Sequence, residues 1–154
     1  MNQKIKNCKK CSLWKIRKNA VPGEGPVNSK IIIIGQAPGA EENKTGRPFV
    51  GRAGQFLNQL LKLAKINRKQ VFITSPIKCF PPKNRKPTKK EISSCLPYLK
   101  KQIEIINPKK FILLGEVAFS MFFQNKKLQN FRGKWIKKSG KFYFPTYHPA
   151  AGLR

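Results

Sequence analysis

Three short apolar runs rich in β-branched residues alternate along this chain with segments of helical periodicity. The runs lie at 30–34, 71–74 and 111–114, and each has the length of a strand buried on both faces of a sheet. Strands that alternate with helices form right-handed βαβ units whose strands are parallel. We therefore predict one α/β domain over residues 1–154 with a short and mostly parallel central sheet.

The helices can be located from their spacing and caps. Apolar residues on one helical face predict a first core helix, and they are Ala53, Phe56, Leu57, Leu60, Leu61 and Ala64. Thr88 and Glu91 have the spacing of a capping box, which predicts a helix to about Ile106 that kinks at Pro97. The remaining expected elements are a third core helix at 116–123 and two short strands within 134–145.

Functional loops of such sheets lie beyond the carboxyl ends of the strands. Three segments meet that condition here: the loop 35–43, the segment from Ser75, and the loop that carries His148. We expect them to lie near one another at one edge of the sheet.

The charge of the chain is strongly unbalanced. Thirty-three Lys and Arg oppose six acidic residues, for a net charge of +27. An AT-rich genome could account for many of the lysines, but the resulting field would still favour a polyanion. We expect a nucleic acid as the partner. We expect no membrane binding, because no helix pairs a basic face with Trp anchors. The N-terminus lacks the apolar core of a secretory signal, so we expect a soluble cytoplasmic protein; binding to nucleic acid would associate it with the nucleoid of a prokaryote.

Missing residue types exclude several mechanisms. The chain has a single His and no Asp. A Ser-His-Asp triad, a His-rich metal site and an Asp-based two-metal nuclease are therefore excluded. Acid, base or electrostatic chemistry must use His148, a Glu or backbone groups.

Four cysteines form two pairs. Cys8 and Cys11 have the x2 spacing of a metal knuckle, whereas Cys79 and Cys95 are 15 residues apart. Without a secretion signal, such cysteines indicate a metal site rather than disulfides. The spacing leaves three interpretations open: a zinc site, a cubane iron-sulfur cluster, or four free buried thiols.

Four further motifs follow in order: Gly-Gln-Ala-Pro-Gly at 35–39, Thr-Gly-Arg-Pro-Phe-Val-Gly at 45–51, Lys-Cys-x-Pro-Pro-x-Asn-Arg at 78–85, and His148-Pro149. With the cysteines, this series resembles the family-4 uracil-DNA glycosylases over about residues 8–154. The resemblance implies an α/β/α fold and hydrolysis of the N-glycosidic bond of deoxyuridine in DNA, which releases uracil and leaves an abasic site. It also implies that Cys8, Cys11, Cys79 and Cys95 hold a structural 4Fe-4S cluster, with zinc as the alternative.

The resemblance assigns roles to individual residues. His148 matches the histidine that donates a hydrogen bond to uracil O2 as the base leaves as an anion. Phe49 matches the aromatic residue on which the flipped base stacks. Gln36 and Ala37 should line the pocket with backbone groups that hold the base and a water. Glu42 is the carboxylate we expect to orient that water or to support the cationic sugar.

A second set of residues should contact the DNA backbone and stack. Lys83, Asn84 and Arg85 lie in a stiff Pro-rich loop suited to phosphates. Leu153 could wedge into the space that the base leaves, and Arg154 could hold a phosphate.

Three residues depart from the family pattern. Gln36 replaces a usual Glu, Asn43 a usual Asp, and Ser75 the Asn that reads the uracil edge. Relatives usually continue into a final helix after the segment that ends at Arg154, so we expect the sheet to be less well covered on that side. The alternatives are a glycosylase with a broader range of deaminated bases, and a catalytically weak iron-sulfur module that binds DNA. A protein partner such as a sliding clamp cannot be identified from the sequence.

Overall fold

The computed structural model describes the backbone of residues 1–153 and the side chains of residues 1–152. The expected roles of the Leu153 side chain and of Arg154 therefore lie outside the described residues. Five strands form one sheet in the order β2-β1-β3-β5-β4. Their bounds are β1 Ile31–Ile34, β2 Phe72–Thr74, β3 Lys110–Leu114, β4 Ile136–Lys138 and β5 Lys141–Thr146. Only β4 runs antiparallel to its neighbour, which confirms the short, mostly parallel sheet.

The described residues form five α-helices: α1 Asn2–Lys6, α2 Ala40–Thr45, α3 Arg52–Leu63, α4 Lys89–Ile106 and α5 Glu116–Ser120. Short 3-10 turns occupy Ser12–Lys15, Arg68–Gln70, Pro82–Asn84, Leu128–Asn130 and Pro149–Leu153. None of the described helices is both long enough and apolar enough to cross a membrane.

The long helix α4 begins as its sequence predicts. Thr88 Oγ1 accepts a hydrogen bond from the Glu91 amide at 3.1 Å, and Glu91 Oε1 accepts one from the Thr88 amide at 2.9 Å. Pro97 lies inside the helix, which continues past it to Ile106. Helix α5 ends at Ser120 rather than at residue 123, because the chain tightens there into three-residue turns.

Two apolar layers pack the helices onto opposite faces of the sheet. On one face α4 and α5 enclose a cluster rich in aromatic residues, in which Phe111 stacks on Tyr143 at 4.7 Å between ring centroids. On the other face Leu57 and Leu61 of α3 pack against Ile33 and neighbouring strand residues. This arrangement is the predicted α/β/α sandwich.

The sheet is less well covered at its β5-β4 end. Trp135 and Phe142 remain 51% and 36% exposed there. Trp135 packs on Phe144 at 5.1 Å between ring centroids, and the Lys110 ammonium lies 5.6 Å from the Trp135 ring.

The N-terminal segment is held against the sheet by a third apolar cluster. Ile5, Leu13 and Ala20 pack with Ile77 and Cys79, which follow β2. This packing brings the first cysteine pair to the second.

Candidate active site

The three predicted loops meet at the carboxyl edge of the sheet around a cavity of about 110 Å³. The predicted site residues that line this base cavity, as we call it, are Ala37, Glu42, Phe49, Ser75, Asn84 and His148. The sequence therefore predicted correctly that the three loops converge. The roles of these side chains stay predictions.

Phe49 forms one wall and adopts a left-handed backbone conformation, with φ of 49°. A Cβ at Gly35 would lie 2.6 Å from the Phe49 ring, and one at Gly54 would overlap the Phe49 carbonyl. Arg68 donates from Nη1 to the Phe49 carbonyl at 2.9 Å and from Nη2 to the Pro48 carbonyl at 2.6 Å. Gly35 therefore leaves room for the Phe49 ring, and Gly54 leaves room for the Phe49 backbone. The Arg68 guanidinium fixes the backbone of this loop.

His148 faces Phe49 across the cavity, with 5.6 Å between the ring centroids. Its Nδ1 accepts a hydrogen bond from the Ala150 amide at 3.1 Å. A nitrogen that accepts this bond carries no proton, so the neutral ring has its proton on Nε2 and donates from that atom. Gly115, with φ of +93°, leaves room for the side chain, because a Cβ there would lie 3.2 Å from the His148 Cβ.

The carboxylate of Glu42 joins two of the loops. Oε1 accepts from the Gly39 amide at 2.9 Å, and Oε2 accepts from the amides of Val50 and Gly51, both at 2.8 Å. A carboxylate offers about four acceptor positions, and these three bonds leave about one for another donor. Glu42 therefore positions the loops on either side of the cavity while it lines the cavity itself.

Two of the three departures from the family pattern, Ser75 and Gln36, lie in different surroundings. Ser75 is only 7% exposed, and its hydroxyl donates to the Ile77 carbonyl at 2.6 Å. The Ser75 oxygen can therefore accept a hydrogen bond from a ligand but has no proton left to donate. Gln36 is half-buried after β1, and it is not among the described residues that line the base cavity.

The Pro-rich loop places its three predicted DNA residues differently from one another. Lys83 and Asn84 are both left-handed, with φ of 56° and 57°; Lys83 is exposed, whereas Asn84 also lines the base cavity. Arg85 makes a bidentate ion pair with Glu91, with both N–O distances 2.8 Å. This hydrogen bonding raises the pKa of Arg85 and lowers the pKa of Glu91. A phosphate contact by Arg85 stays a prediction, and it would compete with this ion pair.

All four cysteines line a second cavity, on the side of Ser75 toward the N-terminal segment. Cationic and polar groups surround it: Arg17 Nη1 donates to Cys79 Sγ at 3.3 Å, and the Lys10 amide donates to Cys8 Sγ at 3.4 Å. Burial raises the pKa of the Cys79 thiol and raises the pKa of Cys95 to about 11. Buried thiols with donors directed at their sulfurs are suited to a bound cation that takes them as thiolates.

The shape of this cysteine cavity bears on what it can hold. Among the described residues, no group of three or more His, Cys, Asp or Glu forms a site for a single metal ion. A tetrahedral zinc site needs four sulfurs about 2.3 Å from one centre. Four cysteines around one cavity supply the thiolate donors that a cubane cluster takes, so the residues present fit such a cluster in their chemistry, and they fit zinc as well.

A buried polar network lies between the two cavities. Lys78 is 1% exposed, and its Nζ donates to Thr74 Oγ1, the Ser75 carbonyl and Gln102 Oε1 at 2.6, 2.7 and 2.9 Å. Burial lowers the pKa of Lys78 to about 7. The sequence analysis treated Lys78 only as part of a motif. The sequence does hold a signal for its burial, because Lys78 lies within the apolar run that follows β2.

Comparison with known proteins decides the family. The family model for the uracil DNA glycosylase superfamily matches residues 22–154. The chain belongs to this superfamily. It is 47% identical over 164 residues to the type-4 uracil-DNA glycosylase of Sulfurisphaera tokodaii, covering 99% of this chain and 74% of that protein. It is 44% identical to the type-4 enzymes of Pyrobaculum aerophilum and Thermotoga maritima, each over 100% of this chain and over 83% and 82% of the relative.

The chain's membership in the uracil DNA glycosylase superfamily and its 44% to 47% identity to type-4 enzymes confirm the predicted resemblance. One departure from the family pattern has a clear structural outcome. Asn43 Oδ1 accepts from the amides of Lys18 and Asn19 at 2.8 and 3.3 Å. An aspartate oxygen would accept the same bonds, so the Asn at this position keeps the contact between α2 and the N-terminal segment.

Arg68 is the residue of this glycosylase site that the sequence analysis missed. Besides its two bonds to the 48–49 backbone, it donates to Asn58 Oδ1 at 2.6 Å, and burial lowers its pKa. One arginine among 33 basic residues gives no signal, because its role depends on how α3 packs beside the Phe49 loop.

Proposed function

We propose that this protein removes uracil from DNA by hydrolysing the N-glycosidic bond of deoxyuridine, which leaves an abasic site. The observation that carries the proposal is the convergence of Phe49, Ser75 and His148 on one cavity in a member of this superfamily. Several relatives that share 44% to 47% identity over 99% to 100% of this chain are named type-4 uracil-DNA glycosylases.

The chemistry follows from the groups around the cavity. A flipped uracil stacks on Phe49. As the bond between C1′ and N1 breaks, its electron pair moves into the uracil ring and places negative charge on O2. The Nε2–H of His148 donates to that oxygen, and such a preorganised donor acts most strongly as the charge develops. A water oxygen then bonds C1′, and the proton that this water loses balances the uracil anion.

Glu42 is our candidate for placing that water or for supporting the cationic sugar. Its three amide partners fix where the carboxylate lies and leave about one acceptor position, which suits one water molecule. The backbone at Gln36 and Ala37 supplies further groups for the base, and Ala37 lines the cavity.

The four cysteines hold, in our proposal, a 4Fe-4S cluster, with zinc as the alternative. The cluster would join the N-terminal segment to the 79–95 region and would serve the fold rather than the reaction. Support comes from the common cavity of the four thiols, from the donors at Cys8 and Cys79, and from the type-4 relatives.

DNA would approach the edge of the sheet at which the base cavity opens. Lys83 stands exposed beside that cavity, and a net charge of +27 favours contact with phosphates. Leu153 stays our candidate for the wedge and Arg154 for a phosphate contact. Action on DNA would associate the protein with the nucleoid.

One assay tests the function and separates it from its alternatives. Oligonucleotides that contain uracil, hypoxanthine or a thymine mismatch are incubated with the protein as single strands and duplexes, and abasic sites are then cleaved with alkali. Cleavage at uracil supports the proposal. Comparable cleavage at hypoxanthine supports the broader glycosylase, which the acceptor-only oxygen of Ser75 favours. Binding without cleavage supports the DNA-binding module and contradicts the proposal.

A further inference from the structure

Lys78 is a fully buried cation without a carboxylate partner among the described residues. All three of its ammonium hydrogens have an oxygen acceptor, namely Thr74 Oγ1, the Ser75 carbonyl and Gln102 Oε1. A lysine is rarely buried without a paired charge, because removing an ammonium from water is unfavourable. The side chain therefore needs both its three acceptors and a source of negative charge nearby.

The three acceptors belong to elements that shape the base cavity. Thr74 is the last residue of β2, Ser75 follows it, and both line the cavity. Gln102, on α4, also donates to the Pro22 carbonyl at 2.6 Å, and Thr74 Oγ1 lies 3.1 Å from the same oxygen. The ammonium thus joins the end of β2 to α4 and to the loop that enters β1.

The same side chain lies against the cysteine cavity. Lys78 lines that cavity together with the four cysteines, and it directly precedes Cys79. Thiolates that bind a metal group carry net negative charge, and this charge stabilises an ammonium in a region of low dielectric. The cysteine cavity can therefore supply the negative charge that a buried Lys78 ammonium requires. Two of the acceptors that the ammonium orders, on Thr74 and Ser75, belong to residues that line the base cavity.

We propose that Lys78 is a positioning residue that holds the Ser75 segment in the shape that the base cavity needs, with the cysteine site as its counter-charge. Lys78 does not line the base cavity, so it acts through the Ser75 carbonyl and the Thr74 hydroxyl. The part of the inference that concerns excision rests on the proposed function. The part that concerns the order of the segment does not.

Replacing Lys78 by Met keeps an unbranched side chain that is one atom shorter, and it removes the charge and its three hydrogen bonds. The Ser75 carbonyl then loses a partner, and the segment at 74–78 becomes freer to move. Because small displacements in a site can lower rates by about 100-fold, we expect single-turnover uracil excision to fall by about 10- to 100-fold. DNA affinity should change by less than about twofold, since no phosphate contact is altered.

The experiment compares wild type, Lys78→Met and Lys100→Met, in which an exposed lysine of α4 is the matched control. Hydrogen-deuterium exchange, iron content and single-turnover excision are measured on each full-length protein. We expect faster exchange confined to residues 74–78 and slower excision in Lys78→Met, with iron retained. Lys100→Met should match wild type in all three.

Two results would overturn the proposal: unchanged exchange at 74–78 in Lys78→Met, or excision that falls only in proportion to iron lost. If wild type itself fails to excise uracil, the proposed function fails, and the exchange result still decides whether Lys78 orders the segment. Should Lys78→Met not fold, Gln102→Met removes one of the three acceptors more gently. Gln102→Met should also show faster exchange at residues 74–78, and its excision of uracil should be several-fold slower than that of wild type. Exchange and excision that both match wild type would contradict the proposal.

Discussion

Three polar side chains of the base cavity, those of His148, Ser75 and Glu42, each make at least one hydrogen bond with the backbone. The Ala150 amide sets the proton of His148 on Nε2, and the Ile77 carbonyl takes the only proton of the Ser75 hydroxyl. Glu42 is held by three amides. At the scale of the residue, the site is therefore preorganised before a base enters, which is what electrostatic catalysis requires.

Ser75 leads to a prediction about base preference. A Ser75→Asn variant would present an amide that can both accept from N3–H and donate to O4 of uracil. Because the Ser75 hydroxyl can only accept, the added donor should be worth about 1–3 kcal/mol in a closed pocket. We expect the variant to excise uracil faster and hypoxanthine no faster in single-turnover assays. If its base preference equals that of wild type, Ser75 does not read the base.

Sequence reasoning predicted those parts of the site that depend on local order along the chain. Motifs that directly follow strands must lie at the carboxyl edge of a parallel sheet, so the convergence of Ala37, Ser75 and His148 could be expected. The ion pair of Arg85 with Glu91 and the bonds of Arg68 to the Phe49 loop could not. These contacts depend on how loops pack against helices, and no spacing rule describes that packing.

At the scale of the element, helix α4 depends on its first turn. Glu91 satisfies the Thr88 amide and also holds Arg85, so one carboxylate caps the helix and ties it to the Pro-rich loop. The capping box was evident from the sequence, whereas the second bond partner of Glu91 was not. The kink expected at Pro97 does not interrupt the helix.

This double role predicts the effect of a Glu91→Gln variant. Gln can still accept from the Thr88 amide, but the charged pair with Arg85 is lost. We expect the free energy of unfolding at neutral pH to fall by on the order of 1 kcal/mol, as measured by urea denaturation. The matched control is Glu104→Gln, which alters an exposed carboxylate on the same helix. We expect this variant to change the free energy of unfolding by less than about 0.5 kcal/mol.

The pH dependence of that difference has a definite sign. The pKa of Glu91 in the folded protein is lowered by the Arg85 hydrogen bond from its ordinary value of 4.5. The stability that the charged Glu91 contributes is therefore fully present at pH values above its ordinary pKa. It is lost as the pH falls through the lowered pKa of the folded protein. The difference in stability between wild type and Glu91→Gln should stay constant from pH 7 down to about 4.5 and narrow as the pH falls below that value. A gap that widens would contradict this assignment.

At the scale of the whole molecule, two sites of different kinds share one domain. The N-terminal segment packs through Ile5 and Leu13 and carries half of the cysteines. A group held by all four thiols would close a chain loop of about 70 residues, and such closure stabilises mainly by restricting the unfolded chain. Such a group would act together with the apolar cluster to hold the N-terminal segment in place.

We expect protein purified without oxygen to contain about four irons per chain. A Cys79→Ser variant should lose the iron and much of its stability, because burial leaves that position without another ligand. Ser94→Ala, which alters a residue of the same cavity that is not a cysteine, should keep the iron. Stoichiometric zinc without iron in the wild-type protein would contradict the cluster and support the alternative.

Single-turnover excision by wild type and His148→Ala tests the central claim most directly. Both proteins are incubated in excess with the same uracil-containing duplex, and their affinity for that duplex is measured in parallel. The account predicts abasic sites with wild type and a rate about 100- to 1000-fold lower for His148→Ala, the usual loss for one oxyanion donor, with little change in affinity. Equal rates for the two proteins would show that His148 does not stabilise the departing uracil.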